Sequence, residues 1–494
     1  MCVICDLAST GGGTSGIFAT KSAPRRASPA KAQRGAAARA IPEGVGAKGR
    51  RTLIKGGTIL SMDERVGDHA RADVLIEGST IREIAPSISA PDAAVIDASG
   101  HIVAPGFIDA HSHQFETALR SFLADGILIN DGRPESALNY YETILQKFSM
   151  VYRPQDVFIN ELFAGIAQID AGVTAVMDIS QIHHSPEHSD AAIEGLRAAG
   201  RRAVFGYFEG WGEKAKYPGD AQRIRAQHFA SSDQLLSMFM GGEIYLPGYE
   251  EAWKVGRELG LPIALHVVAT FGMQPTFDAL ATAGKFGPDC FFIHMTGMSE
   301  IGWKAAADAG AHVTFAVPIE MQMRHGTPPI QKALDLGMSL SLSTDVECTM
   351  TADMFTQMRG VMTLQRMFAN ELALQGKDYP KLMSVTDALK LATIGGAKGL
   401  KIEQRTGSLT PGKDADVILL DATALNVAPL NHAAGAVVTL MERSNVSTVL
   451  CAGQIKKWRG AIVGHDIPKL RTELEASRDY VFAAAGIEQN LFRA

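Results

Sequence analysis

The amino-acid sequence predicts an α/β protein, a (β/α)8 TIM-like barrel with a small β-sandwich domain formed from the N- and C-terminal flanks of the chain. Between residues 104 and 400, short apolar runs alternate with amphipathic segments that close on a glycine, as in "SDAAIEGLRAAG". Repeated β-α units of this kind predict a parallel barrel with its site at the C-terminal ends of the strands. Residues 51–103 and 401–465 carry short strand patterns with Gly- and Asp-containing turns, which indicates one β domain built from both flanks.

The two ends of the chain differ from the rest. Residues 1–50 hold six basic residues and no acid between Leu7 and Pro42, and Ala, Gly, Ser and Pro fill most of the remainder. Such a segment cannot bury enough apolar surface to fold alone. We therefore expect a disordered basic tail there, with a transit peptide as the alternative. Residues 466–494 are expected to form a C-terminal helical extension.

The composition limits the classes of partner. Hydrophobic residues make up 46% of the chain, and no apolar run approaches the roughly 18 residues that span a bilayer. The net charge of −6 offers no broad basic surface for nucleic acid. Five cysteines do not make a disulfide framework, which favours a reducing, cytoplasmic location. We expect a small-molecule substrate and neither a nucleic-acid nor a membrane partner.

Eight apolar runs in the middle of the chain are the candidate barrel strands. The first is "GFIDAHSH", the next two span 172–178 and 202–208, and the fourth is placed near "GGEIYLPG" at 241–248. The last four are "LPIALHV", "CFFIHM", "AHVTFAV" and "MSLSLSTD". Residues 114–150 form a long connection after the first strand, and long connections of this kind often cover the site of a barrel.

Five polar residues stand at the ends of these strands. His111 and His113 end the first strand, and because side chains alternate along a strand, both point to the same side and can bind one metal ion. His266 ends the fifth strand, His294 the sixth and Asp345 the eighth. Four histidines and one aspartate at the strand ends of one barrel predict a metal site.

These motifs resemble those of the amidohydrolase superfamily, in particular its mononuclear-metal group, which includes cytosine deaminase and the triazine hydrolases. The resemblance rests on "PGFIDAHSH" and "GSLTPGKDADVILLD" and covers roughly residues 51–465. It implies that His111, His113, His266 and Asp345 hold one divalent metal ion. It also implies that His294 contacts the attacking water or the substrate, and that the protein is a homo-oligomer. The predicted fourth strand carries no lysine that would indicate a binuclear site.

The donor set determines the chemistry. Three imidazoles and one carboxylate suit Zn²⁺, with Fe²⁺ and Mn²⁺ as alternatives, and leave room for a water. A bound metal lowers the pKa of that water and polarises the bond under attack. Asp345 is then the catalytic group that accepts the proton of the water and passes it to the leaving group. His294 is the catalytic group that stabilises the developing oxyanion.

The fifth strand lacks one residue of the deaminase pattern. Deaminases of the group typically have H-x-x-E here, with the glutamate protonating a ring nitrogen, whereas this chain has Ala269 three residues after His266. Glu320, in "TFAVPIEMQMRHG", is the candidate catalytic substitute. The alternatives for Glu320 are a capping role in the following helix or an ion pair with Arg324. His325, in the same segment, is a candidate substrate-binding residue.

The remaining candidates lie on loops at the same end of the barrel. Phe115, with Tyr140 or Tyr141, is expected to shape an apolar pocket. Trp211 either stacks on an aromatic substrate or anchors its loop. His183, His184 and His188 follow the second strand and either contact the substrate or lie in solvent.

These observations predict a metal-dependent hydrolase. Its reaction is expected to be water attack on an amide-like C–N bond, or on a related ester or lactam, of a small aromatic or heterocyclic compound. A carbonyl carbon needs only the metal, Asp345 and His294, because it is already electrophilic. One alternative is a deaminase or dehalogenase of an aromatic heterocycle, as in the triazine hydrolases. Another alternative is a catalytically silent metal-binding barrel.

Overall fold

The computed structural model describes residues 40–47 and 49–492. Most of the predicted tail, residues 1–50, lies outside this range. Ile41–Ala494 forms one compact unit. The strands of the described residues, numbered in chain order, are β1 (Arg51–Ile59), β2 (His69–Glu77), β3 (Thr80–Ala85), β4 (Ala94–Asp97), β5 (His101–Pro105), β6 (Phe107–Ser112), β7 (Val173–Ser180), β8 (Arg202–Tyr207), β9 (Leu236–Gly241), β10 (Ile263–Val268), β11 (Cys290–Thr296), β12 (His312–Phe315), β13 (Ser339–Leu342), β14 (Val417–Asp421), β15 (Val446–Cys451), β16 (Gln454–Trp458) and β17 (Ala461–Ile462).

The α-helices lie mostly between the barrel strands. They span Pro154–Asp170, Pro186–Ala199, Ala221–His228, Tyr249–Glu258, Gln274–Thr282, Glu300–Asp308, Val317–Gln322, Ile330–Asp335, Met354–Leu374, Val385–Lys390, Gly396–Gly399, Ala433–Thr439 and Ile467–Ala485. Short 3-10 turns and two π-helical segments, Tyr141–Phe148 and Leu391–Gly395, complete the set. Within the described ranges, no helix is both long and apolar enough to cross a membrane.

Both flanks of the chain form one β domain, as predicted. Its nine strands are joined in a single hydrogen-bonded sheet, in the order β17-β16-β15-β14-β5-β1-β2-β3, with β4 paired to β1. The N- and C-terminal flanks meet where β5 pairs antiparallel with β14, at Ala104 and Ile418. Apolar side chains such as Ile54, Val74 and Leu450 form a separate core beneath this sheet. The barrel and the sheet are joined by buried Arg202, which pairs with Asp414 and Asp416.

The eight-stranded barrel is confirmed. Strands β6 to β13 pair in parallel in chain order, and a bridge between Ser112 and Asp345 brings the first and last strands together. The prediction for the fourth strand was wrong, because β9 spans Leu236–Gly241 and residues 242–248 form the connection that follows it. The predicted segment has a glycine at each end and a proline inside it, which suits a loop better than a strand.

The long connection after β6 crosses the C-terminal end of the barrel. Leu128 N–H donates to the carbonyl of Met323 at 3.0 Å, and Leu123 N–H donates to that of Cys348 at 2.8 Å. Within the segment predicted as a C-terminal extension, a helix spans Ile467–Ala485. Its Phe482 packs against Phe148 of the connection with a ring separation of 4.9 Å.

Candidate active site

The predicted metal ligands converge at the C-terminal end of the barrel. Nε2 of His111 lies 3.0 Å from Nε2 of His113 and 3.2 Å from Nε2 of His266. Oδ1 of Asp345 lies 3.7 Å from Nε2 of His111 and 3.5 Å from Nε2 of His113. Zinc–nitrogen bonds of 2.0–2.1 Å in a tetrahedron place donor atoms about 3.3 Å apart. The donor atoms of His111, His113 and His266 lie within 4.8 Å of one another, and so do those of His111, His294 and Asp345, so the residues present fit a divalent metal ion.

Backbone contacts fix the first and last strands at this point. Asp345 N–H donates to the carbonyl of His111 at 3.1 Å, and His113 N–H donates to that of Asp345 at 2.9 Å. The buried carboxylate of Asp109 accepts a hydrogen bond from Thr344 N–H at 2.9 Å, immediately before Asp345. Asp345 has a positive φ of 64° and His294 one of 72°, a strained backbone conformation that is common at functional sites.

The fifth-strand histidine has a carboxylate behind it. Glu243 lies two residues after the end of β9, and its Oε1 lies 2.5 Å from Nδ1 of His266. The same oxygen accepts a hydrogen bond from His266 N–H at 3.2 Å. Such a contact leaves the opposite ring nitrogen, Nε2, free to face a metal.

The sixth-strand histidine is paired with Glu320. Nδ1 of His294 lies 3.0 Å from Oε1 of Glu320, and Nε2 of His294 lies 3.6 Å from Oδ2 of Asp345. Oε1 of Glu320 also accepts from Ala316 N–H at 3.0 Å, so the carboxyl contacts the backbone at the start of its own helix. Glu320 does not line the cavity at the metal site. Its predicted alternative partner, Arg324, pairs with Asp131 and Glu135 instead.

Burial dominates the electrostatics of the site. It lowers the pKa of His111, His113 and His294 well below the usual range, with the neighbouring histidines adding to the effect, which favours the neutral form that binds metals. For the carboxyl groups burial acts in the opposite direction: it raises the pKa of Asp345 to about 7, although the charge of His266 opposes this shift. It also raises the pKa of Glu320 well above the usual range.

An apolar cavity adjoins the metal site. No lysine, arginine or carboxylate other than Asp345 is among the described residues that line it. Its lining consists of His113, Leu128, Tyr140, Tyr141, Leu145, Gln181, Tyr245, His266, Val268, Phe271, His294, Met323, His325, Asp345 and Val346.

Apart from the proposed metal ligands His113 and Asp345, three polar side chains of this lining have atoms without a hydrogen-bond partner among the described residues. They are the hydroxyl of Tyr140, Oε1 of Gln181 and both ring nitrogens of His325. The ring of His325 lies 4.7 Å from that of His294, edge to face. A buried polar group without a partner is costly, so these atoms are the natural contacts for a substrate.

Two of the predicted substrate-binding residues lie elsewhere. Phe115 is fully buried and packs on Tyr152, with a ring separation of 5.7 Å, so its side chain lies behind the cavity wall. Trp211 does not line the cavity; the residue is 44% exposed and its backbone N–H donates to Nδ1 of His184. This placement agrees with the loop-anchor alternative. Tyr140 and Tyr141, from the same connection as Phe115, do line the cavity.

None of the three loop histidines lines the cavity, and His184 and His188 are half-buried. His183 is buried, and its Nδ1 lies 3.1 Å from the hydroxyl of Ser189. Nε2 of His184 lies 3.0 Å from the carbonyl of Ser149, and Nε2 of His188 lies 2.9 Å from that of Tyr152. They tie the second loop to the long first connection.

Sequence reasoning missed Glu243, Glu209 and Gln181. Glu243 lies two residues after β9, so a correct placement of the fourth strand would have found it at the catalytic end. Glu209 lies two residues after β8 in the same way. Gln181 directly follows β7, but a single glutamine there carries no chemical signal.

The fold and the convergent donor set define a barrel hydrolase that uses a divalent metal. Residues 102–456 match the amidohydrolase family, and the chain belongs to this family. The 5'-deoxyadenosine deaminase of Methanosarcina mazei is 26% identical over 425 residues, which cover 82% of this chain and 92% of that protein. The 5-methylthioadenosine/S-adenosylhomocysteine deaminase of Pyrococcus furiosus is 26% identical over 422 residues, or 82% of this chain and 94% of that protein.

Solved structures agree with the fold. An adenosine deaminase from Xanthomonas campestris with bound zinc gives a TM-score of 0.75 at 20% identity, covering 88% of this chain and 99% of that one. The zinc complex of the atrazine chlorohydrolase TrzN from Arthrobacter aurescens gives 0.74 at 18% identity, covering 86% and 100%. The chain is thus an enzyme, a metal-dependent hydrolase of carbon–nitrogen bonds, which sets aside the catalytically silent alternative.

Proposed function

We propose that this enzyme hydrolyses an amide-like C–N bond, or a related ester or lactam, in a small neutral aromatic or heterocyclic compound. The observation that carries the proposal is the distribution of acids around the cavity. Asp345 is the one carboxylate in the described lining, and Glu320 contacts His294 from behind. A carbonyl carbon is already electrophilic, so its hydrolysis does not require a separate acid that protonates a ring nitrogen.

We assign the metal to His111, His113, His266 and Asp345. These residues would hold a zinc ion, with Fe²⁺ and Mn²⁺ as the alternatives, and the ion would supply a water of lowered pKa and polarisation of the bond under attack. Asp345 accepts the proton of the attacking water and passes it to the leaving nitrogen. Burial raises the pKa of Glu320 well above its usual range, and in its protonated form the carboxyl donates to Nδ1 of His294. The proton of the neutral imidazole is then on Nε2, which faces the developing oxyanion.

The lining supports a neutral and apolar substrate. Aromatic rings of Tyr140, Tyr141, Tyr245 and Phe271 form much of the wall. A charged substrate group would lose its hydration without gaining an opposite charge, which is costly. The unpaired atoms of Tyr140, Gln181 and His325 are the proposed hydrogen-bonding contacts, and His325 therefore keeps its predicted substrate-binding role.

A second candidate is the removal of an amine or halide from an aromatic heterocycle. The imidazole of His325 favours it, because both of its ring nitrogens are buried without a partner and one of them can contact a heterocycle nitrogen. The curated relatives named above are deaminases of adenine-containing compounds, which also supports this reaction.

A substrate panel tests the two candidates. The zinc-loaded enzyme is incubated with N-acyl aromatic amines and aryl lactams, and separately with amino- and chloro-substituted purines and triazines. Release of carboxylate from the first set supports amide hydrolysis. Release of ammonia or chloride from the second set, with none from the first, would overturn it in favour of the second candidate. The homo-oligomer and the cytoplasmic location stay predictions.

A further inference from the structure

We infer that Glu243 is the positioning residue of the fifth-strand ligand, and that Glu209 holds the loop that carries it. This inference rests on the proposed metal assignment of His266. The Glu243 carboxylate is fully buried and directs one oxygen at both the ring and the backbone of His266, at 2.5 Å from Nδ1 and 3.2 Å from N. Two contacts from one oxygen fix both the rotation of the imidazole and its position along β10.

The contact selects one tautomer of His266. A carboxylate acceptor at Nδ1 places the ring proton on that nitrogen and leaves the lone pair on Nε2. Nε2 is the atom that lies 3.2 Å from Nε2 of His111, among the proposed metal donors. The negative charge of Glu243 also makes the imidazole a stronger donor, which raises its affinity for a divalent ion.

The loop that carries Glu243 is fixed at both sides of this residue. On one side, Gly242 N–H donates to the carbonyl of Ala264 at 2.9 Å, and Gly242 O accepts from the indole N–H of Trp253 at 2.9 Å. On the other side, the hydroxyl of Tyr245 donates to Oε1 of Glu209 at 2.5 Å. Since Ala264 lies on β10, two residues before His266, the loop is aligned directly with the strand that carries the ligand.

Tyr245 gives this anchor a second role. Its ring lines the cavity and lies parallel to that of Phe271, with ring centroids 6.1 Å apart. Glu209 therefore holds one wall of the substrate cavity and the loop of Glu243 through the same phenol. Glu209 lies two residues after β8, the third barrel strand, and is not one of the proposed metal ligands.

A graded series of variants tests the role of Glu243. Glu243→Gln keeps an oxygen acceptor but loses the charge, whereas Glu243→Leu loses both. Zn²⁺ affinity is measured by competition with a chelator, and the visible spectrum of the Co²⁺-loaded protein reports the coordination geometry. We expect the affinity to fall by about 10–100-fold in Glu243→Leu and by less in Glu243→Gln, with altered Co²⁺ bands. Thermal unfolding of the metal-free proteins shows which variants fold.

The control is Glu251→Gln, which changes an exposed glutamate of the helix Tyr249–Glu258 that pairs only with Lys254 among the described residues, and which is expected to bind Zn²⁺ like the wild type. A folded Glu243→Leu protein with wild-type Zn²⁺ affinity and an unchanged Co²⁺ spectrum would overturn the inference. If Glu243→Leu does not fold, the same result for Glu243→Gln overturns it. Because these measurements use the metal alone, they hold even if the substrate panel contradicts the proposed reaction.

Discussion

Nδ1 of His294 lies 3.0 Å from Oε1 of Glu320, and both side chains are buried. Glu320 was the candidate for the acid that Ala269 cannot supply. In the structure it contacts a histidine and the backbone N–H of Ala316, and does not line the cavity. We therefore assign Glu320 the role of positioning His294, in place of a catalytic role at the substrate.

This role predicts the effect of Glu320→Leu. Loss of the donor at Nδ1 releases the His294 ring, so kcat is expected to fall by about 10–100-fold, because the oxyanion contact is made in the transition state. The kcat of Glu320→Gln, whose amide can also donate to Nδ1, is expected to fall by less. KM and metal content are expected to change little. Steady-state kinetics and metal analysis check both. Glu300→Gln, at a largely exposed position outside the site, is the control for loss of a glutamate. An unchanged kcat would contradict the assignment.

Removal of the Tyr140 hydroxyl is expected to weaken substrate binding without lowering the free energy of unfolding. Tyr140 and Tyr152 are both buried with unpaired hydroxyls, but only Tyr140 lines the cavity. Replacing either with Phe removes an unsatisfied group, so the free energy of unfolding is expected to stay constant or rise by about 1 kcal/mol. Only Tyr140→Phe is expected to raise KM. Denaturant unfolding and kinetics on both variants measure this, and an equal effect of Tyr152→Phe on KM would argue against the Tyr140 contact.

His325 distinguishes the two candidate reactions. His325→Leu removes the buried imidazole and keeps an apolar wall. If the enzyme acts on amides, we expect mainly a weaker binding, by about tenfold, from the loss of one hydrogen bond. If it acts on a heterocycle, kcat is expected to fall as well, because the imidazole then assists the ring nitrogen. Comparison of kcat and KM on the best substrate of each class distinguishes the two reactions. If His325→Leu keeps the wild-type kcat and KM on both classes, His325 does not contact the substrate.

His312, the first residue of β12, is not one of the proposed metal ligands and predicts how the free energy of unfolding changes in acid. Burial lowers its pKa to about 3 from an ordinary value of 6.5, and its ring nitrogens contact the hydroxyls of Ser339 and Ser341. Between these two pH values the unfolded chain binds a proton that the folded protein excludes. The free energy of unfolding should therefore fall as the pH falls from 6.5 towards 3, by about 1.4 kcal/mol per pH unit for this group.

The matched variant for this prediction is His312→Gln, whose amide can also contact both serines. Urea unfolding at a series of pH values is expected to give a slope that is smaller than that of the wild type by about one proton. Identical slopes for the two proteins would show that His312 does not contribute.

The positions of the proposed metal ligands at the strand ends could be predicted from sequence because each depends on a local rule. His111 and His113 are two residues apart on one strand, and the other ligands end apolar runs. The first and last strands of the barrel meet where Ser112 bridges Asp345. This closure of the sheet joins distant parts of the chain, so no local sequence pattern predicts it. The flanking β domain was predictable for the same reason as the ligands, since its strands and turns are short and regular.

The residues around the ligands were not predictable in the same way. Glu243 was missed because its strand was placed five residues too late, at 241 instead of 236. Glu320 was found, but a sequence gives the position of a carboxylate and not its direction. Phe115 shows the same limit, because an aromatic residue beside a ligand can pack into the core or line the cavity.

The most direct test of the metal assignment combines metal analysis with turnover for the wild type and His266→Ala. We predict about one divalent ion per chain in the wild type, loss of turnover on chelation and recovery on addition of zinc. In His266→Ala, both the bound metal and turnover are expected to be largely lost. A His266→Ala protein that keeps its metal and its full turnover would contradict the account.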